Sequence, residues 1–390
     1  MKALRFERKV AKFAAATVAG RLVPGRGAKH GPLTLKEIDP PTLPGPGWVR
    51  LRPRLAGICG SDLATIDGRS SRYFEPIVSF PFTLGHEVVG DLDDGTRAVL
   101  IPVLHCATRG IDPPCDSCRA GRINLCERIA FGHLDPGLQS GFCTTTGGGW
   151  SIAMVAHESQ LLPIPDDVTD EQAVLVEPTA CAVHAARVVE AANIDGGPLV
   201  VVGSGALGLL TIAALRHTVG LNAPMIATGK HPEQRRWAKE LGADRVVEPG
   251  ELARAVRSET SSLMIGEHLT GGAPMVVDCV GTEVSLTDSL RVVAPGGTVL
   301  VVGMPGHTHL DLTPLWHRES ALRGCYAYTR DDFDDALALV RSLDLGRLVS
   351  ATYPLHRYTE AVEHAAAAGA RGAVRVAFDL RSEKQRDDLR

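Results

Sequence analysis

The stretch Leu199-Val200-Val201-Val202-Gly203-Ser204-Gly205-Ala206-Leu207-Gly208 decides how this chain is read. Four apolar residues in a row predict a strand buried on both faces, and the glycines behind them predict a turn that opens a helix. In that setting Gly-x-Gly-x-x-Gly is a cradle for a dinucleotide. Gly203 permits the tight turn, Gly205 lets a pyrophosphate approach the backbone, and Gly208 lets the helix pack against the sheet. Ala206 and Leu207 start the helix, whose free N–H groups and partial positive charge suit phosphate.

Working outward, the pattern after residue 199 alternates. Strands are predicted over 225–228, 275–278 and 298–302, and helices over 206–216, 232–241 and 284–293. Apolar strands with helical crossovers predict a parallel sheet covered on both faces, an α/β unit. The first 165 residues read differently: short apolar segments broken by Pro and Gly suit a small β-barrel with long loops. Residues 9–22 predict a short helix inserted at the surface, a lid or a subunit contact being the alternatives. Thr169-Asp170-Glu171-Gln172 has capping-box spacing, and Pro178 suits the first turn of a helix. The expected organisation is 1–176, with a metal loop at about 105–127, then 177–325 as the coenzyme-binding unit. Residues 326–390 return to the first unit and end in a charged tail.

At the end of the second strand, a carboxylate is expected to bind the adenosine 2′-hydroxyl. Gly229 stands there, followed by Lys230, His231, Arg235 and Arg236. The missing carboxylate and the nearby cations favour NADP(H) over NAD(H); a merely solvated basic face is the plain alternative.

Cys59, in Gly57-Ile58-Cys59-Gly60-Ser61-Asp62, and His86, in Leu84-Gly85-His86-Glu87, supply a thiolate and an imidazole of the kind an open catalytic zinc site uses. Glu177 is the candidate third ligand. Cys115-Asp116-Ser117-Cys118 followed by Cys126 makes most of a closed tetrahedral site, with Cys106 the best fourth ligand and His105 behind it. The chain has nine cysteines, an odd number, clustered in a long sequence, which favours metal binding in a reducing compartment over a disulfide framework.

With 390 residues, two domains are expected. The net charge of −4 gives no basic excess for nucleic acid, and no apolar run is long enough for a membrane span. The first residues carry no clear cleavage signal, so a cytoplasmic location is expected.

Together these motifs resemble the zinc-dependent alcohol dehydrogenases of the medium-chain dehydrogenase/reductase superfamily. Gly57 to Asp62, Gly85 to Glu87 and Glu177-Pro178 match the family's segments, and the likeness runs from Met1 to Arg375. It implies a GroES-like catalytic domain, split in sequence around a Rossmann domain, and a homodimer or homotetramer. It implies that Cys59, His86 and Glu177 hold a catalytic zinc, with Glu87 able to enter its coordination. Asp62 would orient the zinc histidine, Ser61 would start the proton relay, and Arg375 would contact the cofactor's pyrophosphate. Two zinc ions per chain follow, the second in the cysteine loop.

The sequence departs from the family in three places. Eight residues, Ala107 to Pro114, separate Cys106 from Cys115, which leaves the fourth ligand of the loop open. Ala64 stands near the position of a relay histidine. Segments near 9–30 and 131–150 look like insertions, and Tyr73, Phe74, Leu104 and Trp150 are the apolar candidates for a substrate pocket. The expected reaction is hydride transfer between an alcohol, or its ketone or aldehyde, and the nicotinamide. A reductase of conjugated carbonyl compounds is the alternative, and a non-catalytic zinc- and nucleotide-binding protein a remote one.

Overall fold

The long strand Trp48–Gly57 organises one of two compact units, residues 1–177 with 328–390. The computed structural model describes residues 1–193, 196–382 and 385; the expected charged tail lies, at 383–384 and 386–390, outside the described residues. Apolar residues at Leu51, Leu55 and Ala56 bury the strand. Its second half pairs antiparallel with two neighbours, Ala56 opposite Val88 on one side and Gly57 opposite Ala377 on the other. Its first half pairs with Met154–His157. The full seven-stranded sheet adds Val349–Tyr353, Arg97–Leu100 and Leu161–Pro163. A smaller antiparallel sheet sets Lys2–Phe6 between Leu33–Glu37 and Phe82–Thr83.

Aromatic residues fill the core. The Phe6 and Phe82 rings stack at 5.2 Å, and Trp150 meets Phe378 edge-on at 5.0 Å. Aromatic pairs of this kind contribute about 0.5–1.5 kcal/mol beyond the area they bury. The predicted surface helix is present as Val10–Leu22, with Ala16 and Gly20 buried.

The second unit, residues 178–327, is built on a six-stranded parallel sheet. Its strands are Leu199–Val202, Met225–Thr228, Arg245–Val247, Ala273–Asp278, Val293–Val301 and Ala321–Gly324. Numbered along the chain, they lie across the sheet as third, second, first, fourth, fifth, sixth. That is the doubly wound order whose switch point follows the first strand. All four residues of Leu199–Val202 are buried, as the continuous apolar run requires. Among the described residues no helix is long and apolar enough to cross a membrane.

Candidate active site

Three adjacent strands bring the site together. Trp48–Gly57 runs into Cys59, Val88–Leu92 begins just after His86 and Glu87, and Arg375 opens Arg375–Asp379. Both neighbours run antiparallel to the central strand, so the end of one and the starts of the others meet. Two main-chain bonds fasten the junction: Gly57 N–H donates to Glu87 O at 2.9 Å, and Ile58 N–H to Val376 O at 3.0 Å. Gly85 has φ +98°, and a Cβ there would stand 2.4 Å from Trp150 Cδ1, so glycine is required before His86.

The ligand atoms of Cys59, His86 and Glu87 lie within 4.8 Å of one another. Zinc with bonds of about 2.0–2.3 Å fits such a set. Cys59 is also the N-cap of the helix Gly60–Ile66. Its N–H donates to Asp62 Oδ2 at 3.0 Å, while Asp62 Oδ1 lies 3.4 Å from His86 Nδ1. One buried carboxylate thus positions both residues and leaves His86 Nε2 for a metal. Ser61 is half-buried on the same helix, directly after Gly60.

Glu177, the expected third ligand, stands outside this group of three. Its Oε1 accepts a hydrogen bond from the fully buried Tyr328 hydroxyl at 2.8 Å. Arg375, expected at the cofactor, is buried and ion-paired with Glu87. Leu104 and Trp150 are core residues, with the Trp150 indole N–H donating to Gly57 O at 3.1 Å, whereas Tyr73 is exposed. Neither Tyr328 nor Phe142, whose ring centre is 6.0 Å from that of His86, carries a local motif that marks it.

The charges are strongly coupled. Burial alone would raise the Cys59 thiol, but the His86 ring and the Arg375 charge hold it below its ordinary value. Burial alone would lower His86, yet Asp62 and Cys59 keep it well above the usual imidazole range. Burial raises Glu177 above the carboxylate range, against the charge of His86 and the Tyr328 bond.

The second cluster is closed. The sulfurs of Cys106, Cys115, Cys118 and Cys126 lie within 4.8 Å of one another. Tetrahedral zinc–sulfur bonds of about 2.3 Å place sulfurs about 3.8 Å apart, and Cys106 Sγ stands 3.7 Å from Cys126 Sγ. Main-chain N–H groups of Cys115 and Arg128 donate to Cys106 Sγ and Cys126 Sγ, each at 3.4 Å. The longer spacing therefore loops out and returns Cys106 to the others. Burial pushes the Cys118 and Cys126 thiols up, the latter to about 11. Burial also opposes ionisation of Cys115, but N–H groups of Cys118 and Glu127 outweigh it and bring that thiol to about 7.

In the second unit the glycine turn follows Leu199–Val202. Gly203 has φ +91°, and a Cβ there would meet Val280 Cγ2 at 2.2 Å. A Cβ at Gly208 would stand 1.7 Å from Gly203 O, whereas one at Gly205 would meet nothing within 4 Å. Two glycines close the turn and the middle one leaves an open approach, which is the cradle a dinucleotide needs. Thr228 ties the turn to the next strand: Gly203 N–H donates to its Oγ1 at 2.9 Å, and Ser204 Oγ to its carbonyl at 2.8 Å. Ala206 and Leu207 open the helix Ala206–His217. Gly229 follows the strand Met225–Thr228, Lys230 is exposed, and His231 caps the helix Pro232–Glu240. Arg235 donates to the carbonyls of Gly229 and Lys230 at 3.0 and 3.2 Å and pairs with Glu248 at 3.1 Å. Arg236 is instead engaged by Glu233 and Glu240.

Two family models match the chain, and relatives and solved structures resemble it over most of its length. Residues 45–166 match the alcohol dehydrogenase GroES-like domain, and residues 206–342 match the zinc-binding dehydrogenase family. L-idonate 5-dehydrogenase of Vitis vinifera is 31% identical over 371 residues, which cover 89% of this chain and 92% of that one. Sorbitol dehydrogenase of Arabidopsis thaliana is 31% identical over 373 residues, covering 89% and 93%. The solved structure of alcohol dehydrogenase TADH from Thermus sp. ATN1 superposes with a TM-score of 0.72 at 25% identity, covering 98% of this chain and 100% of that one.

Proposed function

Because the chain belongs to the zinc-dependent alcohol dehydrogenase family of the medium-chain dehydrogenase/reductase superfamily, we propose that it oxidises a secondary alcohol of a polyol or sugar acid, with NADP(H) as its preferred coenzyme. Zinc-dependent hydride transfer between an alcohol and a nicotinamide is the family's reaction and this chain's. The gathering of Cys59, His86 and Glu87 carries the assignment of the chemistry to these residues. The polyol reading is supported by the relatives named for L-idonate and sorbitol.

When bound, zinc would supply a Lewis acid that lowers the pKa of the alcohol, and the nicotinamide would supply the hydride acceptor. Cys59, His86 and Glu87 would hold the metal, with Asp62 keeping His86 in the ligating tautomer. Glu177, held by Tyr328, offers a buried acceptor for a second substrate hydroxyl. Ser61, on the helix that Cys59 caps, would take the alcohol's proton while passing its own hydroxyl proton on to water. Gly203, Gly205 and Gly208 admit the pyrophosphate to the N-terminus of Ala206–His217. Gly229 leaves room for a 2′-phosphate, and Lys230 beside it supplies a cation.

A second zinc in the four-cysteine loop is structural, since all four positions are filled by protein. An odd number of cysteines, clustered in a long chain, supports a reducing compartment. Self-association is supported by the sheet edge Ala321–Gly324, exposed at all four residues, beside the exposed Trp316 and Tyr326.

The test is a panel of polyols, sugar acids, simple secondary alcohols and primary alcohols, each assayed with NADP and NAD. The reading expects the highest kcat/KM for a polyol or sugar acid with NADP. Preference for primary alcohols, or for NAD, contradicts the corresponding half.

A further inference from the structure

Arg109 lies in the eight residues, Ala107 to Pro114, that lengthen the spacing between Cys106 and Cys115, and it is fully buried. Every hydrogen bond of its guanidinium among the described residues goes to a main-chain carbonyl. Nε donates to Leu104 O at 3.3 Å. Nη1 donates to Phe131 O at 2.9 Å and Leu134 O at 3.4 Å. Nη2 donates to Asp135 O at 3.4 Å and Gly137 O at 2.6 Å. The Arg109 carbonyl in turn accepts from His133 N–H at 3.3 Å. Segment 131–137 is therefore wrapped around this one side chain.

The same segment continues to the active site. Phe142 packs its ring 5.3 Å from Phe82 and 6.0 Å from His86. Gly149 N–H donates to Gly85 O at 2.8 Å, and Trp150 N–H to Leu84 O at 2.9 Å. The Trp150 indole reaches Gly57 O, two residues before Cys59. Chain that begins on Arg109 thus ends against both ligand-bearing loops.

The ring of carbonyls suits a planar guanidinium with five donors. A buried guanidinium is unfavourable without a counter-charge. Burial lowers the Arg109 pKa, and the nearby Cys143, Cys126, Cys106 and Asp135 oppose that only in part.

We propose that Arg109 is a positioning residue for the active site: it joins the four-cysteine loop to segment 131–150, which braces His86 and Cys59 through Phe142 and Trp150. The two departures in sequence, the longer cysteine spacing and the 131–150 segment, are then one device. The inference rests on the metal reading of the Cys59–His86–Glu87 group.

The test compares the full chain with Arg109→Lys, Phe142→Leu and the double variant. Lysine keeps the charge but has three donors and no planar fork. Phe142→Leu leaves Arg109 untouched and serves if the arginine variant folds poorly. The rate of Cys59 alkylation by iodoacetamide, read by mass spectrometry, reports this site apart from the four-cysteine loop. Each single variant is expected to raise that rate at least tenfold and lower kcat at least fivefold, with KM for the coenzyme within twofold. The double variant should change less than the product of the singles, because both act on one path. A lower Tm with unchanged Cys59 protection and unchanged kcat in both single variants overturns the proposal alone. If the unmodified chain binds no zinc and Cys59 reacts freely, the metal reading fails and the proposal falls with it.

Discussion

Tyr328 donates its hydroxyl hydrogen to Glu177 Oε1 at 2.8 Å, joining two buried residues 151 positions apart. A phenol that donates to a buried carboxylate stabilises its ionised form. Tyr328→Phe keeps the ring against Phe333, at 4.7 Å edge-on, and removes only the donor. Loss of that bond should cost about 1–3 kcal/mol of stability. If Glu177 receives a substrate hydroxyl, kcat/KM for polyols should fall about tenfold, close to the factor that 1.4 kcal/mol represents. Simple secondary alcohols should be affected less, and steady-state kinetics with both substrate types checks this.

Asp62 acts on two residues at once, through Cys59 N–H and toward His86 Nδ1. Asp62→Asn preserves the cap but removes the charge facing the imidazole. Zinc affinity at the catalytic site should fall about 10–100-fold. Competition against a chromogenic chelator measures it, and an unchanged affinity would mean that Asp62 only caps the helix.

Gly229 determines the coenzyme in this account. Gly229→Asp places a carboxylate where a 2′-phosphate would sit, and its Cβ must displace Arg235 Cγ, which is 2.9 Å away. Repulsion and lost space should lower kcat/KM for NADP at least tenfold, while that for NAD holds or rises. Equal losses for both coenzymes would point to simple disruption of the turn.

His105 makes stability depend on pH. Burial, with the charge of His157 second, lowers its pKa to about 4. Between pH 6.5 and 4 the unfolded chain binds a proton that the folded chain refuses. Stability is therefore complete above about pH 6.5 and declines as pH falls toward 4, by at most about 3 kcal/mol. Chemical denaturation at pH 7 and pH 4.5 should show this difference, and His105→Gln should flatten it.

What could be read from the sequence follows from range. The glycine turn at 203–208 was legible because strand, turn and helix are contiguous. Cys59 and His86 were legible because each sits in a short glycine-bracketed segment. Glu87, next to His86, is legible as a possible ligand; that it rather than Glu177 joins the gathered atoms depends on how three strands end together. Tyr328, Arg109 and Phe142 act across long separations with ordinary neighbours in sequence, so nothing nearby marks them. The return of Cys106 depends on a looped-out stretch whose buried arginine becomes meaningful only once segment 131–137 is folded around it.

The central claim is that Cys59, His86 and Glu87 hold the catalytic metal while Glu177 stands aside. A crystal of the zinc-loaded chain, measured on both sides of the zinc absorption edge, tests it most directly. Two anomalous peaks are predicted, one within bonding distance of Cys59 Sγ, His86 Nε2 and a Glu87 oxygen, the other among the four sulfurs of Cys106, Cys115, Cys118 and Cys126. A peak bonded to Glu177 with Glu87 still turned to Arg375, or no peak beside Cys59, would contradict it.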